Sequence, residues 1–122
     1  MTSSSPPSDS AVLSPLSLDT VLELLANQRR RFALYSLLTA DGSSVEFEPL
    51  IEDVATLEAA LTEDALTRER YQDVAADLYQ WHLPVLDDVG IIDYDPRQDL
   101  IRVFEDSCLR KWTLRVQQDE FL

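Results

Sequence analysis

A chain of 122 residues with 45% apolar content has the length and composition of one globular domain, not of a disordered polymer or a multidomain protein. Its 23 acidic residues against 10 basic ones, a net charge of -13, rule out attraction to polyanions by bulk charge. A single cysteine, Cys108, and a single histidine, His82, exclude an internal disulfide and a cysteine-based metal cluster. No apolar run approaches the ~20 residues of a membrane span, and no basic segment followed by an apolar one opens the chain. A cytoplasmic location is expected.

Residues 1–16 are rich in Ser and Pro and have little to bury, so a disordered tail is expected there. Ser17 is placed to cap a short helix with Leu18, Val21, Leu22 and Leu25 at helical spacing. A second helix is expected from Asn27, its cap, to Thr39, ended by Asp41 and Gly42. Phe32, Tyr35 and Leu38 form its stripe, with Leu34 and Leu37 beside it. Arg29, Arg30 and Arg31 fill its first turn, the end of a helix dipole that repels cations. They need acidic or phosphate partners; a salt-bridged, partly solvated turn is the favoured reading.

Ser43 to Glu46 reads as a short extended segment, followed by a helix from Glu48 to Leu61 with Pro49 in its first turn. Thr62 to Thr67 connects it to the longest helix, Arg68 to Asp88. There Val74, Leu78, His82, Val85 and Val89 form the buried stripe. Asp73, Asp77, Gln80, Pro84 and Asp87 occupy the opposite face. Pro84 removes a backbone hydrogen bond and predicts a kink near Gln80 to Pro84. Gly90 is placed to close the helix in the left-handed conformation.

Ile91 to Tyr94 and Leu100 to Phe104 are short β-type runs flanking the turn "DPRQD", with Pro96 in its second position. They predict a two-stranded hairpin that needs helices behind it. A last helix, Asp106 to Gln118, carries Leu109, Trp112 and Val116 on one stripe. With the core already assigned to the preceding helices, this stripe is read as a homodimer contact in preference to intrachain packing.

Two stretches carry a family resemblance. "LLANQRRRFALYSLL" (Leu24 to Leu38) and "LYQWHLPVLDDVGIIDYD" (Leu78 to Asp95) are similar to the first helix and to the recognition-helix end of ArsR-type winged helix-turn-helix regulators. More closely, the "RRRFAL" and "HLPVLDDVGIIDYD" runs resemble a haloarchaeal winged-helix domain family of uncharacterised function. The near absence of lysine, Lys111 alone among the basic residues, together with abundant Asp and Glu, also resembles proteins of salt-in haloarchaea. In molar salt the Debye length falls to about 3 Å, so a dense negative surface repels itself weakly.

The resemblance implies a mainly α, small α+β fold. A tail (1–16) precedes a winged helix-turn-helix domain (17–104) and a C-terminal dimerisation helix (105–122). It implies a dimeric DNA-binding transcriptional regulator. Matched onto this chain, the helix contributes Arg68, Arg70, Gln72, Gln80 and Trp81 as candidate DNA contacts, and the wing contributes Arg97, Gln98 and Arg102. An amide such as Gln80 pairs with an adenine edge, while the arginines hold phosphates. Leu109, Trp112 and Val116 are the candidate dimer contacts. The chain departs from metal-sensing members of that group: one Cys and one His cannot build a thiolate sensor, and His82 lies on the apolar stripe as a hydrogen-bonded core residue. No metal, cofactor or small-molecule effector is expected.

Two other function classes compete. A winged helix used as a protein-interaction module explains the exposed Asp73, Asp77, Asp87 and Asp88 directly. Catalysis is disfavoured: Asp87 and Asp88 diverge on a helix, and only Gly42 and Gly90 are available to shape a cofactor loop. Arginines converging on one face favour DNA; arginines scattered among carboxylates favour a protein partner.

Overall fold

A computed structural model describes residues 15–40 and 44–121. The expected tail, up to residue 14, and the Asp41–Gly42 helix stop lie outside them. Helix α1 spans Leu18–Leu25, α2 Gln28–Thr39, strand β1 Ser44–Glu46 and helix α3 Phe47–Leu61. Helix α4, Arg68–Asp77, runs through a π-helical turn, Leu78–His82, into α5, Leu83–Asp88. Strands β2 (Ile92–Asp95) and β3 (Leu100–Val103) precede helix α6, Ser107–Phe121.

Side-chain caps fix where the helices begin. Ser17 accepts from the Thr20 amide at 3.1 Å, Asn27 from Arg30 at 3.0 Å and Thr67 from Arg70 at 3.1 Å. Each satisfies a donor that the helix leaves unpaired and contributes about 1 kcal/mol. Asp106 caps α6 by accepting from Leu109 at 2.9 Å, and its other oxygen accepts from the Leu16 amide at 2.8 Å. One carboxylate thus joins the segment before α1 to the start of the last helix.

The kink expected near Pro84 takes the form of the π turn. Proline at 84 removes the amide that would bond to Gln80, and its ring crowds that carbonyl. The helix widens just before it: the Leu83 amide donates to Leu78, five residues back. The widening also changes which side chains meet. In an α-helix Asp77 and His82 would point about 140° apart; here they are hydrogen-bonded. Gly90, at φ +84, closes the helix as expected.

The expected two-stranded hairpin is one part of a three-stranded antiparallel sheet of order β1-β3-β2. Val45 pairs with Ile101 on one side, and Tyr94 with Ile101 on the other. Strand alternation puts Ile92, Tyr94, Ile101 and Val103 on the inner face. Ser44, Glu46, Asp93, Asp95, Leu100 and Arg102 take the outer one. The extra strand gives β3 a partner on both edges, which leaves Ile101 fully buried.

The core lies between the helices and the inner face of this sheet. Phe32, Leu34, Leu50, Val54, Leu78, Leu83, Leu86 and Ile101 are all inaccessible to solvent. Helix α6 packs against α1 and α2. Leu109 is 1% exposed, and the Phe121 ring lies 5.7 Å from Phe32 and 5.9 Å from Tyr35. The expectation that Leu109 faces a second subunit is therefore corrected: the head of the domain leaves an open flank over Phe32 and Tyr35, and α6 fills it within the chain.

Candidate nucleic-acid interface

The arginine triplet at the start of α2 faces inward. Arg29 forms a two-pronged ion pair with Glu58 of α3 and also reaches Asp77 at 3.2 Å and Asp73 at 3.4 Å. Glu58, itself buried, takes Arg70 of α4 at 3.1 Å as well. Arg30 donates to the Leu24 carbonyl at 2.9 Å, and Arg31 to that of Leu25 at 2.8 Å. The wrong end of α2 for a cation is thus the right end of α1, whose last carbonyls carry the negative pole. Arg31 then pairs with Glu120 of α6 at 2.7 Å, and the Tyr35 hydroxyl donates to the same carboxylate at 2.7 Å. The triplet is a structural tie among α1, α2, α3, α4 and α6, the salt-bridged reading.

The ionisation of these groups follows from their partners. The hydrogen bond to Glu58 raises the Arg29 pKa further, and that from Arg31 holds the Glu120 carboxyl below its usual range. Burial, then the bond to Glu120, pushes the Tyr35 hydroxyl up. Burial lowers the His82 pKa, and because a carboxylate only accepts, Nε2 is the donor to Asp77 Oδ2 at 3.1 Å. His82 Nδ1, fully buried, has no partner among the described residues. Trp81, 47% exposed, stacks on His82 with ring centroids 4.3 Å apart, and Arg30 sits 5.6 Å from the Trp81 ring centroid.

The candidate DNA contacts divide accordingly. Arg70 is drawn to Glu58 and Asp64 and is not a free contact. Arg68, Gln72, Gln80 and Trp81 on the α4 side, and Arg97, Gln98 and Arg102 on the hairpin, are exposed. Arg68, Arg97 and Arg102 form no ion pair among the described residues. The turn carrying Arg97 and Gln98 is held by the Gln98 amide donating to the Asp95 carbonyl at 3.2 Å and by the Arg97 amide donating to the Asp95 carboxylate at 3.0 Å. Acids share this surface: Glu69, Asp73, Asp87, Asp88, Asp93 and Asp99 are exposed on the same elements. On the outer sheet face Arg102 lies across from Asp93. Three free arginines thus stand among six exposed carboxylates.

Of the candidate dimer contacts, Leu109 belongs to the core. Trp112 and Val116 are partly buried against it. Lys111 and Arg115 flank the Trp112 ring at 5.7 and 5.4 Å. No group of His, Cys, Asp and Glu among the described residues is arranged to hold a metal ion. No helix among them is long and apolar enough to cross a membrane.

Sequence reasoning missed two clusters. The Glu58–Arg29–Asp77–His82 network depends on a π turn, and its only sequence trace is Pro84. The aromatic group of Phe47, Tyr79 and Tyr94, with centroids 5.6 to 6.3 Å apart, forms because Tyr94 faces inward on β2.

The profile of a family described as a domain of unknown function (DUF7344) matches residues 22–102. The chain belongs to the DUF7344 family. The matched span runs from α1 to the end of β3, so it contains the arginine tie except for Glu120, and all eight candidate DNA contacts. Helix α6 lies outside it. No curated protein and no solved structure matches the chain, so the functional reading of this DUF7344 domain rests on its own residues.

Proposed function

We propose that this domain is a winged helix-turn-helix transcriptional regulator that binds double-stranded DNA as a homodimer in the cytoplasm of a salt-in haloarchaeon. The observation that carries the reading is the chain order α2-β1-α3-α4/α5-β2-β3, with uncommitted polar side chains on the α4 helix and on the hairpin after it. In this reading α4 and the π turn after it enter the major groove with Gln80 and Trp81 toward the bases. Arg68, Gln72, Arg97, Gln98 and Arg102 contact phosphates and fix the register.

In molar salt, counterion release adds little for any protein, and recognition relies on local fit and hydrogen bonding. Net negative charge therefore weighs less against DNA than it would at low salt. The test is binding to the protein's own promoter region and to genomic fragments in molar KCl. Wild-type protein is expected to retain a specific fragment, and Arg97→Ala/Arg102→Ala to lose most of that binding. Retention of no genomic fragment by either protein refutes the DNA reading.

The dimer is assigned to the outer side of α6 and the adjoining α1. Trp112 and Val116 of α6 are partly buried against the core, Leu114 is 41% exposed on the other side of that helix, and Leu18 and Leu22 of α1 are 46 and 47% exposed. Light scattering of Trp112→Glu at high salt is expected to report a folded monomer where the wild type is a dimer. An unchanged dimer removes α6 from the interface.

One observation favours a second reading, a protein-interaction module without DNA binding. Arg70 is consumed by Glu58, and the remaining arginines are interleaved with carboxylates.

A further inference from the structure

Between the end of the long helix and the hairpin runs a groove of about 410 Å³. Its floor and walls are Leu83, Pro84 and Pro96 with the rings of Tyr79 and Tyr94; Asp87 and Asp88 form its rim. The Tyr79 and Tyr94 rings meet edge to face at 6.1 Å, and Phe47 supports both from behind. Tyr79 is 51% exposed despite this packing. Asp87 accepts from the Tyr94 amide at 3.3 Å, which holds the hairpin against the helix and fixes the groove's width. Asp88 has no hydrogen bond or ion pair among the described residues. No arginine or lysine lines the groove.

We infer that this groove is a docking site for an arginine-bearing, extended segment of a partner protein. The complementarity is twofold. Proline and tyrosine faces pack against the aliphatic stem of a long cationic side chain, and an aromatic face attracts the guanidinium itself. The carboxylates of Asp87 and Asp88 stand at the rim, where the charged head of such a side chain emerges, and a planar guanidinium pairs with a carboxylate through two parallel bonds. The same carboxylates repel phosphates, which disfavours nucleic acid and anionic lipid as occupants. Apolar and cation–π contact survives in molar salt, where long-range attraction does not. The inference rests on the second reading, that of a protein-interaction module, and not on the DNA one.

The probe is the capped peptide acetyl-Gly-Arg-Gly-Arg-Gly-amide, titrated into ¹⁵N-labelled full-length protein in 2 M KCl. Saturable shifts are expected at the Tyr79, Leu83, Asp88 and Tyr94 amides, with none from the glutamate counterpart of the peptide. Asp88→Asn, at an exposed position without a hydrogen bond, is expected to weaken binding by about 1.5-fold to fivefold, the span of an exposed ion pair. Tyr79→Leu keeps the apolar wall, removes the π face, and is expected to weaken it similarly. Unchanged affinity in both variants overturns the inference. So do shifts spread over carboxylates remote from the groove, displacement of the peptide by a DNA duplex at the same residues, and groove shifts that appear on raising the protein concentration alone, which would assign the groove to a second copy of the chain.

Discussion

Two sets of arginines lie within this small domain and behave in opposite ways. Arg29, Arg30, Arg31 and Arg70 point inward, each held by a carboxylate or by helix-end carbonyls. Arg68, Arg97 and Arg102 point outward and are held by neither. The difference lies in where α3, the end of α1 and α6 place their acceptors. Glu58 is buried and binds whichever guanidinium reaches it, here Arg29 and Arg70 together. In a protein of net charge -13 an arginine is surrounded by possible partners, so the ones left free are the informative ones.

The sharpest way to break this comparison is to remove the inward acceptor. Glu58→Ala removes the buried acceptor shared by two guanidinium groups at 20 and 25% exposure, leaving Arg29 to Asp73 and Asp77 and Arg70 to Asp64. Removing one partner of a fully buried pair costs about 3–5 kcal/mol; with both arginines partly solvated, a loss of about 2–3 kcal/mol is expected. Urea denaturation in molar KCl measures it. A change below about 0.5 kcal/mol, the range of ordinary surface substitutions, would show that Glu58 is no more than a surface acid.

A smaller effect is expected at Glu120, which joins α6 to Arg31 and Tyr35. Glu120→Gln keeps the shape and removes the charge, at about 1–2 kcal/mol for its charge-assisted hydrogen bonds. Its folded pKa is depressed, first by the bond from Arg31. The stability it contributes is therefore complete above the ordinary carboxylate range and is lost as pH falls through the depressed folded value. Wild type and variant should differ at neutral pH and converge on acidification. No difference at any pH would mean that α6 is held without Glu120, by contacts such as those of Phe121 and Leu109.

Much of this arrangement was legible in the sequence because local rules dominate it. The caps at Ser17 and Asn27, the stripe of the long helix, the stop at Gly90 and the turn at Pro96 all depend on neighbours within a few residues. β1 was legible only as an extended run: three residues hold too little alternation to identify their partner strand, which lies more than fifty positions away. The side chosen by α6 was misread because Leu109 and Phe121 match a cavity over Phe32 and Tyr35 that exists only after α1 and α2 have packed. The fate of Arg70 was hidden for the same reason. Its spacing marks it as exposed on α4, but α3 brings Glu58 against that face.

The smallest expected change in stability is on the outward set, and it carries the most functional weight. The triple variant Arg68→Ala/Arg97→Ala/Arg102→Ala should unfold within about 0.5 kcal/mol of wild type, because none of the three side chains has a partner to lose. Its effect should appear only against a polyanion. A duplex contacted by all three guanidinium groups loses about one unit of salt slope for each arginine removed, so the logarithmic salt dependence should flatten by about 3. That slope must be measured from about 0.5 to 2 M KCl, with Arg70→Ala as the contrast. Arg70→Ala should cost stability through Glu58 and leave the slope unchanged. Destabilisation of the triple variant comparable to that of Arg70→Ala would erase the inward–outward distinction. A flat slope in the wild type, with full stability in the triple variant, would leave the exposed arginines free but direct them to a protein partner.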